Sequence, residues 1–175
     1  TGGSEYIKNI LSSFSYLDYL DRTKIELHLI SFEKSCSTKK FEKYCDYIHS
    51  YKDFKNPLIK SLFVSQKLSK FKEFFFTLFI LHAYKINFVF PFPKYVFFGV
   101  RNSALWIPDF QHHYLVKLFS KKEINYRNQK FRKIINNPSI LVLSSEDSKK
   151  DFYKLYGKKN KNVFVLNFRA NLNKN

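Results

Sequence analysis

The string Ser139-Ile140-Leu141-Val142-Leu143-Ser144-Ser145 constrains this fold more than any other stretch. Its apolar residues follow one another without polar alternation, and a strand with one face in water would alternate. Such a run belongs in a strand buried on both faces, as in a parallel sheet. "SEDSKKDFYKLYG" (145–157) follows and reads as a helix, with Glu146 and Asp147 in its first turn and Gly157 as its C′ residue. "NVFVLNF" (162–168) is a second apolar strand. Strand, helix and strand make one βαβ unit, the connection that parallel pairing requires.

The rest of the chain repeats the alternation. "SEYIKNILSSFSYL" (4–17) carries Ile7, Ile10, Leu11 and Phe14 at helical spacing. "KIELHLISF" (24–32) predicts a strand, and "KKFEKYCDYIHSY" (39–51) and "NPLIKSLFVSQKL" (56–68) predict helices. "SKFKEFFFTLFILHAY" (69–84) predicts a buried helix with Phe71, Phe74, Phe75, Leu78 and Leu81 on its inner face. "KINFVFPFP" (85–93), "KYVFFGV" (94–100) and "SALWIPDF" (103–110) are β-like. "SKKEINYRNQKFRKIINN" (120–137) opens on Ser120 and Glu123, an S-x-x-E capping box, and Asn136-Asn137-Pro138 stops it. The fold class expected is α/β: Rossmann-like, a mostly parallel sheet with helices on both faces. One domain is expected over 1–168, with a polar tail at 169–175.

Charge narrows the partners. Lys and Arg number 31 against 14 Asp and Glu, a net +17. That excess suits nucleic acid, phospholipid headgroups or a phosphorylated ligand. It is also what a Lys-, Asn-, Ile-, Phe- and Tyr-rich composition yields when the lysines are scattered and solvated. The second reading takes the larger share, because no block of five like charges occurs. Cys36 and Cys45 lack zinc spacing and read as free thiols in a reducing compartment. "FFFTLFILHAY" (74–84) is shorter than the roughly 20 residues of a membrane helix. A cytoplasmic protein is expected.

Open parallel sheets bind ligands beyond the carboxyl ends of their strands. Three stretches are expected there: "TGGSE" with Gly2 and Gly3, "PDFQHH" with Asp109 and His112, and "SSED" with Ser144, Ser145 and Glu146. Each has a plain structural explanation. A Gly-Gly pair is commonly a turn, and Ser144 or Ser145 followed by acids caps a helix, which is the preferred explanation for Glu146 and Asp147. Asp109 and one histidine can brace loop backbone, or they can face a hydroxyl-rich ligand. Adjacent His112 and His113 point apart, and no third ligand stands at matching spacing, so no metal is expected. No Ser-His-Asp constellation is evident.

"WIPDFQHHYLVKLFSKKEINYRNQKFRKI" followed by "ILVLSSEDSKKDFYKLY" and "VFVLNF" resembles the N-terminal half of family 4 (group 1) glycosyltransferases of the GT-B fold, bacterial ones above all. "TGGSEYIKNIL" resembles that family's glycine-rich loop, and residues 20–100 match only by general α/β pattern. The resemblance implies a retaining transfer of a hexose from a nucleotide-sugar to a glycan or lipid-linked acceptor, in cell-envelope polysaccharide synthesis. It implies no cofactor and no active-site metal. Carried over by position, Gly2 and Gly3 border the donor phosphates, and Asp109 and His112 line the cleft near the reacting sugar. Ser144, Ser145 and Glu146 sit at its rim. A first strand before Thr1 and a nucleotide-sugar-binding domain after Asn175 are expected in the parent enzyme, with the present chain inactive alone. The family also offers a use for positive charge: peripheral contact with membrane through 57–84. The rival reading is a basic α/β module that holds nucleic acid or an anionic membrane surface without catalysis. No specific nucleic acid is expected, since no recognition motif appears and the aromatics follow core periodicity. A non-catalytic relative of the enzymes is the third reading.

Overall fold

The computed structural model describes residues 2–31, 38–50, 69–91, 102–137, 139–157 and 162–167. They fall into two compact units, one within Thr1–Ile86 and one spanning Asn87–Phe168. Expected elements at 56–68 and 94–100 lie outside the described residues. The described strands form two short parallel sheets. The architecture is therefore mixed α/β.

The first unit opens with helix α1 (Gly2–Ser13), a 3-10 turn at Phe14–Tyr16 and short α2 (Tyr19–Arg22). Strands β1 (His28–Ser31) and β2 (Tyr47–Ser50) pair in parallel, flanking the 3-10 segment Thr38–Tyr44, and α3 (Ser69–Ala83) follows. Gly2 and Gly3, expected as a loop ahead of a helix, are the first turn of α1 itself. The helix expected over 39–51 gives way to a 3-10 turn and a strand. Asp46 supplies the reason. Its carboxylate accepts the Leu27 N–H at 2.7 Å, and Arg22 Nη2 donates to its two oxygens at 2.9 and 3.0 Å, while the Asp46 and Tyr47 N–H groups donate to the Leu27 carbonyl. That junction fixes the start of β2 beside the start of β1, and tertiary bonding overrides a weak helical pattern. Helix α3 buries Phe76, Thr77 and Ile80 and exposes Phe75, Phe79 and Leu78. The inner face is thus turned from the expected one. The helix is apolar nearly all round, so spacing alone could not choose its face.

The second unit runs β3 (Ala104–Ile107), short α4 (Gln111–Tyr114), a 3-10 turn at Val116–Leu118, α5 (Lys121–Asn136), β4 (Ile140–Leu143), α6 (Glu146–Tyr156) and β5 (Val163–Val165). All three strands are parallel in the order β3-β4-β5, with Ile107 beside Leu143 and Leu143 beside Val165. Of the strand expected over 85–93, Val89 alone among the described residues bridges to Ser103. Leu105, Ile107, Leu141 and Leu143 pack with Phe131, Ile134 and Ile135 of α5 and Phe152 of α6. Both crossover helices therefore cover one face. Right-handed crossovers through strands added in one direction place successive helices on the same side. The opposite face is buried as well, at Ala104 and Val142. That double burial is the physical content of the unbroken apolar run 140–143.

The ends of the helices follow their sequence signals. Ser120 caps α5 by accepting the Glu123 N–H at 3.2 Å, and Glu123 turns to Arg127 instead of completing the box. Ser145 caps α6 by accepting the Ser148 N–H at 3.1 Å, and Gly157 ends it at φ 73°, a conformation costly for any other residue. Replacing Leu143 by Ala should cost about 2–5 kcal/mol, because the site is fully buried. Phe164→Ala, at an exposed position of β5, should cost less than about 1 kcal/mol. Urea unfolding followed by fluorescence of Trp106, the chain's one tryptophan, measures both in this unit.

Candidate functional site

The carboxyl ends of β3 and β4 stand side by side through the Ile107–Leu143 pair. The loops leaving them carry Asp109 on one side and Ser144, Ser145 and Glu146 on the other. The two loops are joined directly. The Trp106 indole Nε1 donates to Ser144 Oγ at 2.9 Å, and Ser148 Oγ donates to the Pro108 carbonyl at 3.3 Å. Ser145 Oγ lies 3.1 Å from Ser148 Oγ, so the cap of α6 belongs to the same cluster. These bonds hold the loop that carries Asp109 beside the 144–146 turn.

Asp109 is held from its own loop and from α5. Its Oδ1 accepts the Gln111 N–H at 3.1 Å and lies 3.5 Å from the Arg127 guanidinium. Arg127 also pairs with Glu123 at 3.6 Å and sits 4.6 Å over the Phe119 ring. Partly exposed pairs of this kind contribute little to stability. They do aim the carboxylate. Glu146 and Asp147 are exposed in the first turn of α6, where they favour its positive end, and Asp147 pairs with Lys150 at 3.0 Å. The rim therefore carries carboxylates, although the chain as a whole is strongly basic. Such a rim accepts hydrogen bonds from hydroxyl groups and disfavours phosphate.

His112 does not share that exposure. Only 1% of it meets solvent. Its Nε2 bonds Asn128 Oδ1 on α5 at 3.0 Å, and its ring meets Phe131 edge-on at 5.2 Å. Its Nδ1 is buried without a hydrogen bond. Burial holds the ring's pKa below its ordinary 6.5, against the Asn128 bond, with His113 and Arg127 adding to the depression. A proton on Nδ1 would be a buried donor with no acceptor. His112 thus fastens α4 to α5 in its neutral form and has no surface from which to touch a substrate. His113 faces Tyr156, with its Nε2 at 3.5 Å from the hydroxyl.

Gly2 and Gly3 belong to the other unit, in the first turn of α1. Cys36 lies outside the described residues. Cys45 is free, and partial burial with Asp46 nearby pushes its thiol up to about 11 despite Arg22. A thiol so protonated is no nucleophile at neutral pH. Among the described residues, no group of three or more His, Cys, Asp or Glu is arranged to hold a metal ion.

Sequence inspection missed Trp106, Arg127, Asn128 and Ser148 as partners of the rim. Two of them left a trace. Arg127 follows Glu123 at i+4, and Asn128 stands on the α5 stripe with Ile124, Phe131 and Ile135, a polar residue on an inward face. The Trp106–Ser144 bond spans 38 positions and left none.

No protein-family model, curated protein or solved structure matches this chain.

The depressed His112 pKa makes stability depend on pH with a definite sign. As pH falls through about 6.5 the unfolded ring takes up a proton and the native ring does not, so stability falls. His112→Gln keeps an amide near the Nε2 position and removes the titration. Its urea midpoint between pH 8 and 5 should decline less steeply than that of the wild type. Equal slopes would show that His112 is not held neutral.

Proposed function

We propose that this chain is the acceptor-side part of a retaining glycosyltransferase, which moves a hexose from a nucleotide-sugar to a glycan or lipid-linked acceptor. The observation that carries the reading is the shared rim of Asp109, Ser144, Ser145 and Glu146 at the carboxyl ends of two parallel strands. Rims at this place bind ligands in open α/β sheets. Hydroxyl-rich ligands suit this one, because it presents carboxylates and serine hydroxyls. The resemblance of 106–168 to GT-B enzymes specifies the reaction within that class, and the Rossmann-like identity of the fold belongs to the same proposal.

In this reading Asp109 accepts a hydrogen bond from an acceptor hydroxyl, and the Arg127 contact sets its direction. Ser144 and Glu146 take further hydroxyls, with Ser144 fixed by Trp106. His112 is a positioning residue that holds α4 and the Asp109 loop against α5. Gly2 and Gly3 are assigned to the donor side by the resemblance alone.

A surface feature favours a lipid-linked acceptor. Leu115, Val116 and Leu118, which follow α4, are 46%, 54% and 73% exposed. Lys117 lies between them and Lys121 and Lys122 follow in sequence, with no acidic residue within 114–122. Another exposed apolar stretch, at Tyr16–Leu20, includes Asp18. Exposed apolar residues with lysines in the same stretch match an anionic bilayer surface. Among the described residues no helix is long and apolar enough to cross a membrane.

Saturation-transfer NMR with free hexoses and a uridine diphosphate hexose tests the rim. Sugar protons should receive transfer, and Asp109→Ala should weaken it at least tenfold with the circular dichroism spectrum unchanged. Tight, steeply salt-dependent binding of random oligonucleotides without any sugar contact would overturn the reading in favour of a nucleic-acid module. In flotation assays the chain should rise with phosphatidylglycerol vesicles and stay behind with phosphatidylcholine. Leu118→Ser should reduce that recovery several-fold. Equal recovery with both lipids would remove the support for a lipid-linked acceptor.

A further inference from the structure

The two serines of the rim look alike in sequence, but their hydrogen bonds give them opposite polarity. A hydroxyl has one hydrogen to donate and two lone pairs with which to accept. The direction of each bond follows from the partner that has no choice.

Two partners have none. The Trp106 indole can only donate, so in the 2.9 Å bond to Ser144 the serine oxygen accepts. The Pro108 carbonyl can only accept, so the 3.3 Å bond takes the single hydrogen of Ser148. The 3.1 Å contact between Ser145 Oγ and Ser148 Oγ then uses the hydrogen of Ser145. Ser145 Oγ also accepts the Ser148 N–H at 3.1 Å. Ser148 is buried, so water does not compete for this chain of bonds. Ser145 has thus spent its hydrogen inside the protein and keeps a lone pair. Half-buried Ser144 has spent a lone pair and keeps its hydrogen.

The carboxylates beside it are acceptors. Both contacts of Asp109 fall on Oδ1, which among the described residues leaves Oδ2 to a ligand. Glu146 is exposed and likewise only accepts. Arg127, a side-chain donor next to Asp109, is turned to that carboxylate, to Glu123 and to the Phe119 ring.

We propose that Trp106 sets the specificity of the rim by keeping Ser144 as its hydroxyl donor, an inference that rests on the reading of the rim as a sugar site. Where the ligand meets Asp109 or Glu146 it must bring a hydroxyl, since an ether has no hydrogen to give. Where it meets Ser144 it must bring a lone pair, and there an ether oxygen serves as well as a hydroxyl. The ligand class is a hexose that shows hydroxyls to the carboxylates and an oxygen, free or already substituted, to Ser144. A sugar residue already linked through that oxygen, as within a glycan, fits. A sugar lacking the oxygen does not.

Saturation-transfer NMR on the intact chain tests this with D-glucose, D-galactose and D-mannose and their monodeoxy and mono-O-methyl derivatives. At one ring position the methyl ether should bind like the parent sugar while the deoxy sugar binds roughly three- to tenfold more weakly. At a position that faces a carboxylate both derivatives should lose roughly tenfold or more. Ser144→Ala should remove the difference between ether and deoxy sugar at the first position. Trp106→Phe leaves Ser144 in place but frees its hydroxyl to turn, and it should shrink the same difference. A merely structural role for Trp106 would weaken every analogue alike and leave that ratio unchanged. Without sugar, the Trp106 indole N–H resonance should shift in Ser144→Ala. Equal penalties for ether and deoxy sugar at every position, an unchanged ratio in Trp106→Phe, or an unmoved indole resonance would each overturn the assignment while sugar binding at the rim stands. Absence of transfer to all of these sugars would overturn the sugar site and this inference together.

Discussion

The structure of the second unit depends on the burial of β4 between β3 and β5. A central strand of a parallel sheet has both faces covered and both edges bonded, so it admits no polar side chain and no register slip. Leu141 and Leu143 are fully buried toward the crossover helices, and Val142 is buried on the other side. A shift of one residue would exchange these faces. The register in turn puts Ile107 beside Leu143, and the loops that leave those residues become neighbours. The rim follows from that hydrophobic constraint.

Chemistry at the rim is then a matter of short reach. Trp106, Ser144, Ser148 and the Pro108 carbonyl tie two loops that are distant in sequence. Asp109 is steadied by α5 through Arg127, and the α4 that follows it is fastened by His112 to Asn128 on the same helix. The helix that supports the core thus also orients the polar groups above it. A carboxylate-bearing rim on a basic chain is a local reversal of charge that the fold holds in place.

Sequence patterns gave a good account of this unit and a poorer one of the other. The capping serines 120 and 145, the terminating Gly157 and the apolar runs at 140–143 and 163–165 are strong local signals, and each marks the element found there. In the first unit the segment 39–51 has mixed periodicity, and Asp46 decides it by bonding Leu27 and Arg22, partners it meets only after folding. Helix α3 offers apolar residues on every side, so its buried face was a choice for packing. At the site, Asp109 and the 144–146 turn were legible because α/β sheets place such loops together. The burial of His112 was not, because a histidine next to an apolar run can as readily face out.

By itself, the amino-acid sequence determined that the chain alternates strands and helices, that its strands pair in parallel, and where several helices begin and end. Those properties are set by side chains within a few positions of one another: spacing of apolar residues, capping hydroxyls, a glycine at a left-handed turn. Tertiary structure alone decided that both crossover helices share a face, that His112 is interior, that Trp106 reaches Ser144 and that Asp46 meets Arg22 and Leu27. Contacts of that kind join residues about twenty to forty positions apart, and no local pattern carries the free energy that selects them.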